Sequence, residues 1–251
     1  MQVKQPEIVA EMNRLIDAAG AKNIKLRAIG GLAVQTHNKG DHAIFIREYP
    51  DLDFVVQKKQ RREFEVFMEE TGFEPDKRFN LLNGTRRQIY NHKGTGLRID
   101  VFVGDFEMCH KIPLEDRLHL DPITIPLTEL FLSKAQIVEL NRKDALDITS
   151  LLLYNETGQD DDKKINLDHI AELCGQDWGL YKTTSINLKR VEDLLADATL
   201  SLTKEERDLI LKRVHAIQKT FEEMPKSVPW QLRDKVGTRV RWYEEVEEVR
   251  R

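Results

Sequence analysis

The change in sequence pattern at Pro126 constrains the fold of this chain more than any other feature. Before it, apolar runs typical of strands alternate with short helical patterns. After it, only helical periodicity continues. Strands followed by helices are typical of α+β proteins. We therefore predict an α+β fold, with a mixed β-sheet flanked by helices in residues 1–125 and an all-helical subdomain in residues 126–251.

Apolar periodicity gives approximate limits for the elements. Strands are predicted at 24–29 and 51–56, and again within 77–103, where Asn83-Gly84 and Gly94–Gly96 mark turns. The clearest of the later strands is Leu97–Val103. Helices are predicted at 7–19, 60–71, 127–140, 143–154, 166–174, 187–198, 203–223 and 237–249, with a solvated linker at 159–164.

Composition narrows the class of protein. The chain has 251 residues, of which 40% are hydrophobic, so a substantial core is expected. The net charge of -4 argues against a strongly basic nucleic-acid-binding surface over the whole chain. The two cysteines, Cys109 and Cys174, form no CxxC pair, so we expect no structural zinc. Without an apolar leader or a membrane-length apolar run, a cytoplasmic protein with no membrane partner is expected.

Three aspartates carry the strongest chemical signal. Asp51 and Asp53 are two residues apart on a predicted strand, so their side chains point to the same face. Asp100 lies in a second apolar strand, where an unpaired buried carboxylate is costly. If the two strands are neighbours, all three carboxylates can surround Mg²⁺, which prefers oxygen ligands. The alternatives are an Asp-x-Asp pair with no function and an edge-strand Asp100 that faces water.

Gly30-Gly31 lies where a predicted strand passes into a short helix. Glycine allows a phosphate to approach the backbone closely, and a helix N-terminus favours anions. A plain tight turn is the alternative interpretation. The sequence contains neither a GxxxxGK[ST] motif nor a GxGxxG motif, so the pair is not part of a P-loop or a dinucleotide-binding turn.

Taken in chain order, the segments IGGLAV, DLDFVV and LRIDVFV resemble the motifs of the polymerase-β-like nucleotidyltransferase superfamily. The resemblance covers roughly residues 24–153 and is finer to the branch of AbiEii-type toxins and related nucleotidyltransferases. That branch often has Arg four residues before the first aspartate, as Arg47 stands here. Two departures are Tyr49 in place of a serine and a longer segment between Gly31 and Asp51.

The resemblance implies an Mg²⁺-dependent enzyme that transfers NMP from an NTP to a hydroxyl and releases pyrophosphate. Asp51 and Asp53 would hold the metal that carries the triphosphate. Asp100 would bind a second metal ion and help to deprotonate the acceptor. Mn²⁺ is an alternative to Mg²⁺.

The resemblance also implies nucleotide-binding residues. Gly30 and Gly31 would seat the phosphates, and Arg47 would contact a phosphate or pair with an aspartate. Lys134, expected to open a helix, would neutralise the β- and γ-phosphates. Asp144 belongs to a K…R…KD..D signature, together with Asp147, Arg142 and Lys143, and would orient Lys134 or lie on a polar helix face.

Several partners and functions stay open at the level of sequence. The acceptor could be a tRNA end, a protein or a small molecule, and the resemblance adds an antitoxin as a partner. The chief alternative is a non-catalytic nucleotide-binding or interaction module of a toxin–antitoxin-like system. A phosphohydrolase is a weaker alternative, because no histidine has metal-ligand spacing and surface positions are expected for these histidines.

Arg86, Arg87 and Arg98 would line an acceptor site or, more simply, a solvated hairpin. The aromatic residues Trp230, Trp242 and Tyr243 are assigned to a helical core, and the terminal EEVEEVRR run to a solvated face.

Overall fold

The computed structural model describes residues 5–245. The chain divides into two compact units that are discontinuous in sequence. The first unit runs up to Thr36 and includes Ile46–Glu107 and Pro113–Pro126. The second contains His37–Phe45, Met108–Ile112 and the chain from Leu127 onward.

The first unit contains a five-stranded sheet and four helices in its described part. Its helices are α1 (Gln5–Ala21), α2 (Gly30–Thr36), α3 (Arg61–Glu70) and α4 (Lys77–Asn83), and its strands are β1 (Leu26–Ile29), β2 (Asp51–Val56), β3 (Phe73–Pro75), β4 (Arg87–His92), β5 (Arg98–Val103) and β6 (Phe106–Glu107). A short 3-10 helix covers Lys58–Gln60.

The strand order in the sheet is β1-β2-β5-β4-β3. Strands β2 and β5 run parallel, whereas β1 pairs antiparallel with β2 and β4 pairs antiparallel with both β5 and β3. The sheet is therefore mixed, and β5 is its central strand. The α+β class predicted from the sequence is confirmed.

One face of the sheet packs into the core of the first unit. Tyr90 on β4 is buried, and the ring of Phe64 on α3 meets it edge-on at 5.9 Å between centroids. Tyr90 lies opposite Ile99 in the register, one residue before Asp100. Because side chains alternate along a strand, Asp100 points to the other face of the sheet.

The second unit is mainly helical in its described residues. Its helices are α5 (Leu127–Ala135), α6 (Arg142–Tyr154), α7 (Leu167–Gln176), α8 (Trp178–Leu195), α9 (Lys204–Glu223) and α10 (Val228–Val236), with strands β7 (Lys111–Ile112), β8 (Glu156–Gly158) and β9 (Lys164–Asn166) and 3-10 helices at Ala43–Phe45 and Gly237–Arg239. Strands β8 and β9 pair in parallel, so the predicted all-helical composition is wrong at this point.

Several predicted limits need correction. Residues 77–83 form α4 instead of a strand, because Asp76 caps the helix by accepting from the Phe79 N–H at 2.9 Å. Helix α5 ends at Ala135, so Lys134 lies in its last turn and does not open a helix. Helix α8 begins at Trp178, nine residues before the predicted start.

The C-terminal part of the described chain also differs from the prediction. Helix α10 was not predicted, and residues 240–245 are not helical, although a helix was predicted for 237–249. Trp230 on α10 is buried as predicted, whereas Trp242 and Tyr243 are half-buried and lie outside any helix. The prediction for residues 246–251 lies outside the described residues. No helix within residues 5–245 is long and apolar enough to cross a membrane.

Candidate functional site

The register between β2 and β5 aligns the predicted carboxylates. Asp53 lies directly opposite Asp100, and Asp51 lies opposite Arg98. Neighbouring strands lie ~4.8 Å apart, and opposed residues share a face. Asp51, Asp53 and Asp100 therefore share the face of the sheet that points away from Tyr90. Asp100 is on the central strand and only 5% exposed, so an edge-strand position facing water is excluded.

Arg87 on β4 binds both carboxylate oxygens of Asp100. Its Nε donates to Oδ1 at 2.8 Å and its Nη2 to Oδ2 at 2.5 Å. The guanidinium carbon also lies 5.2 Å from the centre of the Phe102 ring. Burial lowers the pKa of Arg87, but hydrogen bonding and attraction to Asp100, together with the charge of Asp53, outweigh it and raise that pKa above its ordinary value. The expectation that Arg87 lies on a solvated hairpin face is wrong.

The pairing of Arg87 with Asp100 could be predicted from the sequence only with a register for the hairpin of β4 and β5. The predicted turn at Gly94–Gly96 joins β4 to β5, and the observed hairpin pairs Ile89 with Asp100 and Arg87 with Phe102. Arg87 is thus diagonal to Asp100 on the same face, within reach of a long side chain. By contrast, Arg86 is 75% exposed at its side chain and contacts Glu107 at 3.6 Å, as expected for a solvated arginine.

Gly30 brings its backbone against Asp53. It has φ +80, a conformation that favours glycine, and a Cβ built there would collide with Oδ2 of Asp53 and lie 3.1 Å from its Cγ. Ile29, the residue before, pairs with Asp53 in the register of β1 and β2. The strand-to-helix turn therefore borders the carboxylate directly, so Gly30 is more than a plain tight turn.

Gly31 borders Arg47 and Tyr49 in the same way. A Cβ at Gly31 would collide with Nη2 of Arg47 and lie 2.7 Å from Cε1 of Tyr49. The Arg47 guanidinium lies 5.1 Å from the centre of the buried Tyr49 ring, whose hydroxyl donates to Gln35 at 3.4 Å. Tyr49 thus packs beneath Arg47. The first unit brings together Gly30, Gly31, Arg47, Asp51, Asp53 and Asp100.

Lys134 and Asp144 belong to the second unit. The Nζ of Lys134 lies 3.2 Å from Oδ1 of Asp144 and 3.0 Å from Oδ2 of Asp147. All three side chains are at most 15% exposed. Asn141 accepts from the N–H of Asp144 and begins α6, which places both carboxylates on one face of that helix. The nucleotide-binding role of Lys134 and Asp144 stays a prediction.

The histidines were expected to lie on the surface, and this expectation is wrong for His110. His110 is 6% exposed, and its Nε2 lies 2.8 Å from the hydroxyl of Thr183. Trp242 donates to the same hydroxyl at 2.9 Å, so that hydroxyl is free to donate its own hydrogen to His110. Burial lowers the pKa of His110, more than the charge of Asp177 raises it. This favours a neutral histidine in a structural role.

The carboxylates of this face form only part of a metal-binding site. Within residues 5–245, no group of three or more His, Cys, Asp or Glu side chains is gathered closely enough to hold one. Asp51 and Asp53 share a face and supply the oxygen ligands that Mg²⁺ prefers. Asp100 is engaged by Arg87. Asp51 and Asp53 on β2 therefore supply a partial donor set for a hard cation, and the third carboxylate, that of Asp100, is paired with a guanidinium.

Comparisons with known proteins found two solved structures that are similar to this chain. The antibiotic-resistance factor ANT(2'')-Ia is 11% identical with a TM-score of 0.42, covering 76% of this chain and 96% of its own. An antigenic nucleotidyltransferase-like protein from Paracoccidioides brasiliensis is 17% identical with a TM-score of 0.46, covering 76% of this chain and 92% of its own. No family model and no curated protein matches. At these scores and identities neither structure assigns an activity to this chain, and neither bears on the AbiEii-type branch.

Proposed function

We propose that this chain is a metal-dependent nucleotidyltransferase. Its reaction centre would be the face of the sheet in the first unit that carries Asp51, Asp53 and Asp100, called the carboxylate face below. The observation that carries the proposal is the alignment of Asp53 with Asp100 on neighbouring parallel strands, beside the backbone of Gly30. Carboxylates placed together in this way repel one another, and a cation offsets that repulsion. The resemblance to polymerase-β-like enzymes supports the same reaction.

Asp51 and Asp53 are the residues that would hold Mg²⁺ or Mn²⁺. Both are half-buried, so the protein shields them partly from water. When bound, the metal neutralises triphosphate charge and polarises the α-phosphate. In the proposed reaction, an acceptor hydroxyl oxygen forms a bond to the α-phosphorus as the bond to the β-phosphate oxygen breaks, and pyrophosphate leaves with that electron pair. The resemblance gives Asp100 the role of taking the hydroxyl proton.

The chain contributes positioning as well as charge. The absent side chains of Gly30 and Gly31 make room for Asp53 and Arg47, and the resemblance implies that the backbone of both glycines seats the phosphates. Arg47, held over Tyr49, supplies a planar donor suited to a phosphate. The acceptor is proposed as a hydroxyl of an RNA such as tRNA, of a protein or of a small molecule. Lys134 and Asp144 as nucleotide-binding residues, and an antitoxin as partner, follow from the resemblance alone.

The test is transfer of labelled NMP from each of the four NTPs to total RNA, proteins and aminoglycosides, with Mg²⁺ or Mn²⁺ present. We expect one nucleotide to be transferred by the wild-type chain. Asp53→Asn should abolish transfer, because it removes a ligand charge without a large change in shape. Asp17→Asn, which alters an exposed carboxylate on α1, is the matched control and should leave the rate unchanged.

Transfer that persists in both Asp51→Asn and Asp53→Asn would contradict the proposal. NTP binding in calorimetry with no product after long incubation would instead support the non-catalytic nucleotide-binding module. Hydrolysis of the NTP without an acceptor product would support the phosphohydrolase. Each alternative therefore has its own result in the same set of samples.

A further inference from the structure

Arg87 already occupies the position at Asp100 where a cation is needed. Both oxygens of the carboxylate accept from the same guanidinium, and side-chain exposure is 7% for Asp100 and 24% for Arg87. A bidentate pair of this kind is stronger than a single neutral hydrogen bond, and its shielding from water strengthens the attraction. The carboxylate opposite Asp53 is therefore neutralised by the protein itself.

We propose that Arg87 is the resident cation of Asp100, and that a metal ion gains Asp100 as a ligand only by displacing the guanidinium. The inference rests on the proposed metal-dependent function and adds a residue that controls metal binding. Arg87 is a positioning residue in this account, since it acts through the carboxylate of Asp100.

The Arg87 guanidinium and a divalent metal ion would compete for Asp100, because both are positively charged. A divalent ion bound to Asp100 would lie within a few ångströms of the guanidinium, and like charges at that distance repel strongly in a partly buried site. A guanidinium keeps its charge at every physiological pH. It therefore cannot relieve the repulsion by losing a proton and has to move away.

The neighbours of Arg87 hold its guanidinium against Asp100. Asp53 lies opposite Asp100 in the register, and its charge also acts on the Arg87 guanidinium. Phe102 supports the guanidinium from β5. Without Arg87, two carboxylates would lie opposite each other on adjacent strands, and their mutual repulsion would favour a bound cation.

The test measures Mn²⁺ binding to the full chain by electron paramagnetic resonance, without nucleotide, so that its readout is independent of turnover. Arg87→Met keeps much of the side-chain length and removes the charge. We expect it to bind Mn²⁺ about tenfold more tightly than the wild type, a change that corresponds to ~1.4 kcal/mol. Arg86→Met, which removes the neighbouring exposed arginine, is the matched control and should bind as the wild type does.

The tighter Mn²⁺ binding expected of Arg87→Met must depend on Asp100. The Arg87→Met/Asp100→Asn double variant should lose it, because the released carboxylate is then absent. Arg87→Lys, which keeps the charge but not the paired hydrogen bonds, should fall between the wild type and Arg87→Met and serves if Arg87→Met unfolds. Circular dichroism of each variant shows whether it is folded.

Each outcome has a separate meaning. If Mn²⁺ binding depends on Asp53 but is equal or weaker in Arg87→Met, Arg87 organises Asp100 for the metal and the inference is wrong while the proposed function stands. A gain that persists in the double variant also overturns it. If no variant binds Mn²⁺ in an Asp53-dependent way, the proposed metal-dependent function itself fails.

Discussion

Single residues decide the chemistry of the carboxylate face, and Gly30 shows it most sharply. Its positive φ and its close approach to Asp53 are two separate requirements for glycine. Gly96 has a similar φ of +72, but nothing lies within 4 Å of a Cβ built there. Substitutions at Gly30 and Gly96 can therefore separate the effect of backbone strain from the effect of contact with the Asp53 carboxylate.

We predict that Gly96→Ala lowers the free energy of unfolding by about 1–2 kcal/mol, the usual cost of a left-handed conformation for alanine. Gly30→Ala should cost more, since Asp53 must also move away from the new methyl group. It should abolish Asp53-dependent Mn²⁺ binding as well, whereas Gly96→Ala should leave it intact. Urea denaturation and Mn²⁺ titration of both variants check this. Equal losses of stability would show that Asp53 moves aside without cost.

The sequence was sufficient to predict the carboxylates but not their partner. Asp51 and Asp53 were predicted from the two-residue period of a strand together with the glycine pair. Asp100 was predicted mainly from the resemblance, together with the cost of an unpaired carboxylate in an apolar strand. The pairing of Asp100 with Arg87 depends on which strands are neighbours and on the hairpin register, and a shift of one residue would have turned Arg87 to the opposite face.

At the scale of elements, local signals were most informative where a cap precedes a buried apolar stripe. Helix α9 was predicted within one residue, because its apolar stripe is flanked by a Thr203–Glu206 capping box. Helix α4 was missed because it is short and buries no residue; Leu81 and Leu82 are 85% and 75% exposed. The end of α5 was missed because apolar residues continue past Ala135.

The cap of α9 predicts a pH dependence. Glu206 accepts from the Thr203 N–H at 2.8 Å, and this bond is the main reason why its pKa lies below the ordinary value; burial opposes the shift, and His42, 2.8 Å away, adds to it. A lowered folded pKa stabilises the protein above the unfolded pKa of about 4.3, and the stabilisation is lost as pH falls through the folded value.

We therefore expect Glu206→Gln to lower the urea midpoint at pH 7, and we expect the difference from the wild type to shrink as pH falls below about 4. Glu205→Gln, an exposed neighbour in the same helical turn, is the control and should show a smaller difference at every pH. A Glu206→Gln difference that is constant with pH would contradict the assignment, because it would then reflect shape and not charge.

For the whole molecule, the change of pattern at Pro126 predicted the α+β class but could not show which segments pack together. His37–Phe45 and Met108–Ile112 precede Pro126 in sequence but belong to the second unit. Phe45 packs edge-on against Tyr154 at 6.0 Å, and the His110 N–H donates to Gln136 at 2.6 Å. Such long-range contacts leave no periodic signal in the sequence.

A division at the predicted boundary should therefore fail to give a well-folded domain. A fragment of residues 1–126 keeps every segment of the first unit but also carries Phe45 and Ile112, which are 8% and 0% exposed in the full chain, without their partners in the second unit. We expect this fragment to bind a hydrophobic dye and to unfold less cooperatively in urea than the full chain, since exposed apolar surface and lost packing have these effects. Adding back residues 127–251 as a separate chain should reduce dye binding, because it restores the surfaces that cover these two segments. Cooperative unfolding of the fragment alone, with no dye binding, would contradict this prediction, because it would show that the sheet-bearing region folds independently at Pro126 although these two segments lack their partners.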